Sequence, residues 1–179
     1  MNRIAQIISS VFNPLVVVVL MSFLLGGIKF GLITILAVAI LSIIIIYLVK
    51  KKVFINFDVS KQEQRPLLYF LEFSTTLIYL SVIYYLHAPI ILIAQTLAVL
   101  LVLLALSLVN KFTKASGHIA ILSAAVTMLI FIYGIVFILG FLVIGLVSWS
   151  RLELERHLLK EVIVGLIIGV SVASLVAII

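Results

Sequence analysis

The chain contains no cysteine, which excludes disulfides, a thiolate nucleophile and Cys-ligated metal. Acidic residues are scarce: Asp58, Glu63, Glu72, Glu153, Glu155 and Glu161 are the only ones in 179 residues. They are too scattered along the chain for the carboxylate cage of a Mg²⁺ site, so no metal and no cofactor is expected. Prolines number three, and charged residues make up only 10% of the chain. Internal repeats, low-complexity tracts and any polar stretch long enough for a soluble domain are missing as well.

What remains is apolar. Hydrophobic residues account for 66% of the chain, and the mean hydropathy is +1.50. A soluble domain of this length cannot hide that much apolar surface, so the composition specifies an integral membrane protein. The apolar runs are unbroken rather than alternating, which favours helices over a barrel of strands. The net charge of +6 lies on short loops, where membrane topology accounts for it. Nucleic acid is therefore not expected as a partner.

The runs divide the chain into about seven spans. Arg3 precedes a short amphipathic start, and Asn13-Pro14 opens the first run, Leu15 to Gly27. Gly26-Gly27-Ile28-Lys29 reads as a tight turn rather than as the end of a cleaved signal peptide. The second span, Phe30 to Val49, stops at Lys50-Lys51-Lys52, and residues 50–66 form the one long polar segment. Leu67–Leu86 and Ile90–Val109 follow, separated by a turn at His87-Ala88-Pro89. After the polar loop 110–117, the apolar stretch Ile119–Trp149 would be roughly 46 Å long as one helix, at 1.5 Å per residue. That exceeds a hydrocarbon core of about 30 Å. It is expected to be a hairpin turning near Tyr133-Gly134, with Gly140 as the other candidate. The last span runs from Leu158 to Ile179. The expected fold is all-α, a polytopic transmembrane bundle of about seven spans, or six if the first segment does not cross. It forms a single membrane-embedded domain over residues 1–179, and the oligomeric state stays open.

Three polar clusters then share one face: residues 50–66, 110–117 and 150–161. The last is the densest. His157 and Glu161 are four apart, hence on one face of a helix. A carboxylate on one imidazole nitrogen fixes the tautomer and frees the other nitrogen to attack. Arg151 can offer a planar fork of donors to phosphate oxygens. Ser116-Gly117-His118 lies where a loop enters a helix, an anion-binding position at which His118 could protonate a leaving oxygen. Arg65-Pro66 adds a second guanidinium. Together these groups suit phosphoryl transfer.

The order and spacing resemble the type 2 phosphatidic acid phosphatase superfamily, the histidine-dependent lipid phosphatases related to vanadium haloperoxidases. That family carries Lys-six residues-Arg-Pro, then Pro-Ser-Gly-His, then Ser-Arg-five residues-His-three residues-Asp. Here stand Arg65-Pro66, then Ala115-Ser116-Gly117-His118, then Ser150-Arg151, five residues, His157, three residues and Glu161. The third motif keeps full register with Glu for Asp, and the second keeps three positions of four. The first keeps only Arg-Pro: Asp58 falls where the family has Lys. Lys61, one helical turn before Arg65, is the candidate to replace that charge. The motif-bearing core spans about 58–179.

The resemblance implies roles. His157 would be the nucleophile, Glu161 its orienting carboxylate and His118 the general acid. Arg65, Arg151, Ser116, Gly117 and Lys61 would bind the phosphate. The implied activity is metal-independent hydrolysis, through a phosphohistidine, of a lipid phosphate or isoprenoid diphosphate drawn from the bilayer. A lipid phosphotransferase using an alcohol acceptor is one alternative. A non-catalytic lipid-binding or transport protein with a degenerate site is the other. Outside the motifs, Glu72 lies two turns after Arg65 on the same face, as its charge partner or as an interfacial acid. His87 reads as a turn residue, and Gln95 as a helix-to-helix hydrogen bonder.

Sidedness follows from the bases. Eleven of the twelve basic residues fall on the motif-bearing face, and only Lys29 on the other. With Lys61, Arg65, Lys114 and Arg151 set aside as site candidates, Arg3, Lys50, Lys51, Lys52, Lys111, Arg156 and Lys160 still oppose Lys29. Bases in short loops are retained in the cytoplasm, so the motif-bearing face is expected there. Single cysteines at Ser60 and His87, probed in intact cells with an impermeant thiol reagent, test this. Labelling at 87 but not at 60 is expected, and the reverse pattern would put the site outside.

Overall fold

The computed structural model describes residues 2–178. Among them there are only helices and connections: α1 Arg3–Val11, α2 Pro14–Lys50, α3 Arg65–Tyr85, α4 Ile90–Val109, α5 Gly117–Tyr133, α6 Gly140–Glu153 and α7 Leu159–Ile178. Short 3₁₀ turns at Gln62–Gln64 and Ile135–Leu139 lead into α3 and α6. Five helical stretches are long and apolar enough to cross a membrane, and α5 is a shorter apolar helix. The chain is an all-helical bundle and an integral membrane protein.

Helix α2 is two arms joined at Gly27, which has φ 73° and ψ −170°. Only glycine adopts such a backbone readily. The arms fold back on each other: Tyr79 Oη sits 2.7 Å from Thr34 Oγ1 and 3.4 Å from Ser22 Oγ. Twelve residues of straight helix would separate those two side chains by about 18 Å. The turn expected at Gly26-Gly27 is therefore present. So is the hairpin within Ile119–Trp149, which reverses at Gly134 with φ 97°.

The centre of the bundle is α5. From His118 to Met128 every residue is buried. A helix apolar on all sides has no outward face to define, and enclosure by α2, α4, α6 and α7 supplies the apolar surroundings that it requires. Helix α7 approaches it most closely. A Cβ on Gly165 would lie 2.6 Å from the Ser116 carbonyl oxygen, and one on Gly169 would collide with Ser123 Oγ and the Ala120 carbonyl. Gly165, Gly169 and Ala173 make a stripe of small residues at four-residue spacing, which lets two backbones touch without side chains between them.

The polar segments gather at one end of the bundle. Asn2 Nδ2 donates to Glu153 Oε1 (3.3 Å), tying α1 to α6. Gln62 Nε2 donates to the Asn110 carbonyl (2.6 Å), and Asn110 Nδ2 donates back to the Gln62 carbonyl (3.2 Å). This exchange locks loop 51–64 onto loop 110–116 and delivers Arg65 beside Ala115.

The close α5–α7 contact makes a signed prediction. Gly165→Ala and Gly169→Ala should each destabilise the protein by about 1–3 kcal/mol through overpacking against backbone. Gly145→Ala in α6, where an added Cβ meets nothing within 4 Å, should stabilise by about 0.5–1 kcal/mol. Reversible unfolding in mixed micelles measures all three, and equal effects would show that the two backbones are not in contact.

Candidate active site

Three consecutive residues ahead of α5 organise the polar end. The Lys114 carbonyl lies 3.1 Å from His157 Nδ1. The Ala115 carbonyl accepts from Arg65 Nη1 at 2.8 Å. The Ser116 N–H donates to the Glu161 carbonyl at 3.0 Å. One strand of backbone thus fixes a residue from each of the other two motifs.

His157 stands in the connection between α6 and α7 and is buried. Its Nδ1 is 2.8 Å from Glu161 Oε2. The same carboxylate oxygen accepts the Leu158 N–H at 3.2 Å, as an acid at the third position of a helix does when it reaches back to the helix start. With Nδ1–H donating to the carboxylate, the Nε2 lone pair is the acceptor side of the ring and faces Arg65 Nη2 at 3.5 Å, the outer limit of a hydrogen bond. Burial, and then the charges of Arg65, Arg151, Lys114 and His118, hold His157 far below the ordinary imidazole value. The ring is therefore neutral at physiological pH.

A cavity of about 140 Å³ opens beneath these groups. At its polar end it is lined by Asp58, Arg65, Gly117, His118, Arg151 and His157. His118 is the second residue of α5 and is buried against the cavity. Gly117 contributes one of the helix-start N–H groups that have no intrahelical acceptor. Arg65 is further held by the Val59 carbonyl on Nε at 3.3 Å and by Tyr69 Oη at 3.5 Å from Nη1. Arg151 Nη1 donates to Ser9 Oγ at 2.7 Å and to Asp58 Oδ2 at 3.2 Å, while its buried Nε has no partner. Among the described residues no three His, Asp or Glu converge as metal ligands.

Several expectations change. Lys61 is exposed, caps the 3₁₀ turn before α3 and does not line the cavity, so it cannot supply the replacement charge. Lys114, whose carbonyl lies beside His157, is the cation nearer the site, but it too is outside the cavity lining; partial burial lowers its pKa, with Glu161 opposing and Arg65 and Arg151 adding. Ser116 is fully buried, its N–H is taken by Glu161, and its Oγ faces no partner. It serves as the joint between α5 and α7 and lies outside the cavity lining. Glu72 reaches the cavity but forms no ion pair with Arg65 among the described residues, since carbonyls and Tyr69 hold that guanidinium. His87 is an exposed turn residue with φ 55°, as its sequence context indicates.

Asp58 and Ser9 carried no sequence signal as site residues. Asp58 does more than remove a charge from the first motif: its carboxylate lies on the cavity wall and pairs with Arg151. Burial opposes its ionisation, but the charge and hydrogen bond of Arg151, with His118 and Arg156 adding, hold its pKa below the ordinary carboxylate value. Val59 beside it takes φ 43°, a costly backbone for a β-branched residue, and its carbonyl accepts from Arg65 Nε. Ser9 comes from α1, far from any motif, because α1 packs on α6.

The arrangement brings a neutral, carboxylate-oriented imidazole, a second imidazole and two guanidiniums around one cavity. Comparison of the chain with protein-family models, curated proteins and solved structures finds no match.

Asp58 supplies the test of anion binding. Asp58→Asn removes a like charge from a pair in which Arg151 is buried and Asp58 is 27% exposed; at about 1 kcal/mol, inorganic phosphate should bind about fivefold more tightly. Titration calorimetry on the solubilised protein measures this. Unchanged or weaker affinity would show that the anion does not meet Arg151.

Proposed function

We propose that the protein is a multi-pass membrane phosphatase of the type 2 phosphatidic acid phosphatase kind, acting on a lipid phosphate or diphosphate through a phosphohistidine. One observation carries the reading: His157 Nδ1 is bound to Glu161 while Nε2 opens on a cavity that also holds Arg65, Arg151 and His118. The site faces the cytoplasm in this reading, in accord with the basic loops around it.

In the first step His157 Nε2 attacks phosphorus and the bond from phosphorus to the lipid oxygen breaks. His118, as imidazolium once the substrate's negative charge is in the site, gives that oxygen its proton. In the second step water attacks phosphorus, passes a proton to His118, and the phosphorus–nitrogen bond breaks to release phosphate. Arg65 and Arg151 hold the equatorial oxygens, and the Gly117 N–H adds a neutral donor. Glu161 keeps the proton on Nδ1 and stabilises the positive charge that develops on the ring.

The carboxylate of Asp58 in the anion site favours a second reading, a lipid-binding protein without turnover. Rapid quench with labelled lipid phosphate separates the two. Phosphatase action should give an acid-labile, base-stable phosphoenzyme that disappears in His157→Ala, with turnover reduced at least about a thousandfold. Tight binding with no phosphoenzyme and no phosphate release would leave the second reading. Phosphate moved onto an added alcohol in preference to water would identify a phosphotransferase.

The rate of phosphoenzyme formation also has a signed pH dependence. Protonation of Nε2 abolishes attack, and the His157 pKa lies below its ordinary value. With a substrate whose leaving group needs no protonation, the rate should hold as pH falls through 6.5 and drop only well below it. A fall centred on the ordinary imidazole value would mean that His157 is not the buried, cation-surrounded nucleophile.

A further inference from the structure

Asp58 stands where the resembled motif has Lys, so an anion occupies the place of a cation. Its Oδ2 is 3.2 Å from Arg151 Nη1, while its Oδ1 takes part in no hydrogen bond among the described residues. The side chain is partly exposed. It lines both the cavity and the neighbouring groove along Ser9, Ser10 and Val16. Asn13, Leu15, Val38 and Phe57 also border both spaces, so Asp58 stands where the two meet.

Arg151 links this carboxylate to the phosphate position. Its Nη1 is taken by Ser9 and Asp58, its Nε has no partner, and its Nη2 makes no hydrogen bond among the described residues. A phosphate on the Nη2 side shares the guanidinium with Asp58. With N–H···O distances of about 2.8 Å, the two sets of oxygens are then on the order of 5 Å apart. Like charges that close repel. An ammonium between them donates a hydrogen bond of ordinary length to each and replaces one repulsion with two attractions. The protein supplies no such cation there: Lys61 is exposed, and neither it nor Lys114 lines the cavity.

We propose that Asp58 is a specificity residue that takes an ammonium carried by the substrate two carbons from its phosphate oxygen, so that the preferred ligand contains an aminoethyl phosphate unit. This rests on the phosphate site proposed above and narrows its substrate class. A two-carbon spacer keeps the nitrogen beside the phosphate. A longer one carries it into the apolar part of the cavity, away from Asp58. Two sources supply the unit: a phosphate monoester of an amino-alcohol lipid, and a phosphodiester with an ethanolamine headgroup.

The test measures binding to the full chain in detergent, by ligand-induced thermal stabilisation. The probes are phosphonates, in which carbon replaces the ester oxygen. One set is octadecylphosphonate, plain or with an amine on the third or the tenth carbon. The other is the octadecyl monoester of terminally aminated propylphosphonate, beside that of butylphosphonate. The amine on the third carbon should tighten binding about tenfold over the plain chain, the value of a hydrogen bond between charged groups. The amine on the tenth carbon should give no gain. In Asp58→Asn, nearly isosteric, the plain phosphonate should bind more tightly and the advantage of the amine should fall close to one. Melting without ligand reports the folding of the variant, and opposite shifts of two probes do not arise from misfolding. A gain in the first set assigns the amine to the lipid, and a gain in the second assigns it to the headgroup; either supports the subsite. The proposal is overturned by a gain in neither set, by an equal gain from the tenth carbon, or by a gain that survives Asp58→Asn. Failure of the phosphate site has a different signature: octadecylphosphonate then binds no better than octadecanol, and the proposal falls with it.

Discussion

The site depends on how closely α7 lies against α5. Glycine at 165 and 169 lets the two backbones meet, and the Ser116 N–H then reaches the Glu161 carbonyl. Glu161 therefore serves two purposes. Its carbonyl positions the start of α5, which carries His118, and its carboxylate orients His157. The two imidazoles are thus tied to one residue at the start of α7. A joint of this kind places reactive groups more reproducibly than side chains on free loops could.

Two guanidiniums are buried beside that joint in a chain with six acids. They are neutralised differently. Arg65 is surrounded by carbonyl oxygens, a hydroxyl and an imidazole, which satisfy its donors without cancelling its charge. Arg151 has a carboxylate and a serine hydroxyl, and still leaves Nε unpaired. Uncompensated buried charge is costly unless an ion completes it. For the phosphate substrate proposed above, one arginine would offer its charge unopposed and the other would share itself with Asp58.

Much of the architecture was legible from lengths and spacing. A run too long for one crossing required the turn found at Gly134, and paired glycines before Lys29 marked the reversal at Gly27. The register of Ser150, Arg151, His157 and Glu161 correctly grouped the last three in space. What stayed hidden was tertiary. Asp58 pairs with Arg151 from another part of the fold, and the left-handed backbone at Val59 beside it is one that no local pattern signals for a β-branched residue. Ser9 matters only because α1 folds onto α6. Lys61 looked suitable by helical counting, but the helix starts at Arg65, so the periodicity did not apply to it. Ser116 looked like part of an anion nest because the sequence does not say that α7 will claim its N–H. The small residues of α7 read as ordinary apolar filler until the neighbouring backbone is known.

The break at Gly27 has a consequence for the bilayer. The arm before it, residues 14–26, is about 20 Å long at 1.5 Å per residue, against a hydrocarbon thickness of about 30 Å. The apex is level with the start of α4, since Gly26 packs on Leu92. The arm therefore ends short of the opposite headgroup plane, and Asn13 and Pro14 at its end line the cavity together with Asp58. For a bundle lying across the bilayer as proposed, this leaves a notch in the wall at the depth of the upper acyl carbons. A groove of about 520 Å³ along Ser9, Asn13, Val16 and Phe57 runs to Asp58 at that level. For the lipid substrate proposed above, such a gap would let the headgroup tip in sideways without first lifting into water.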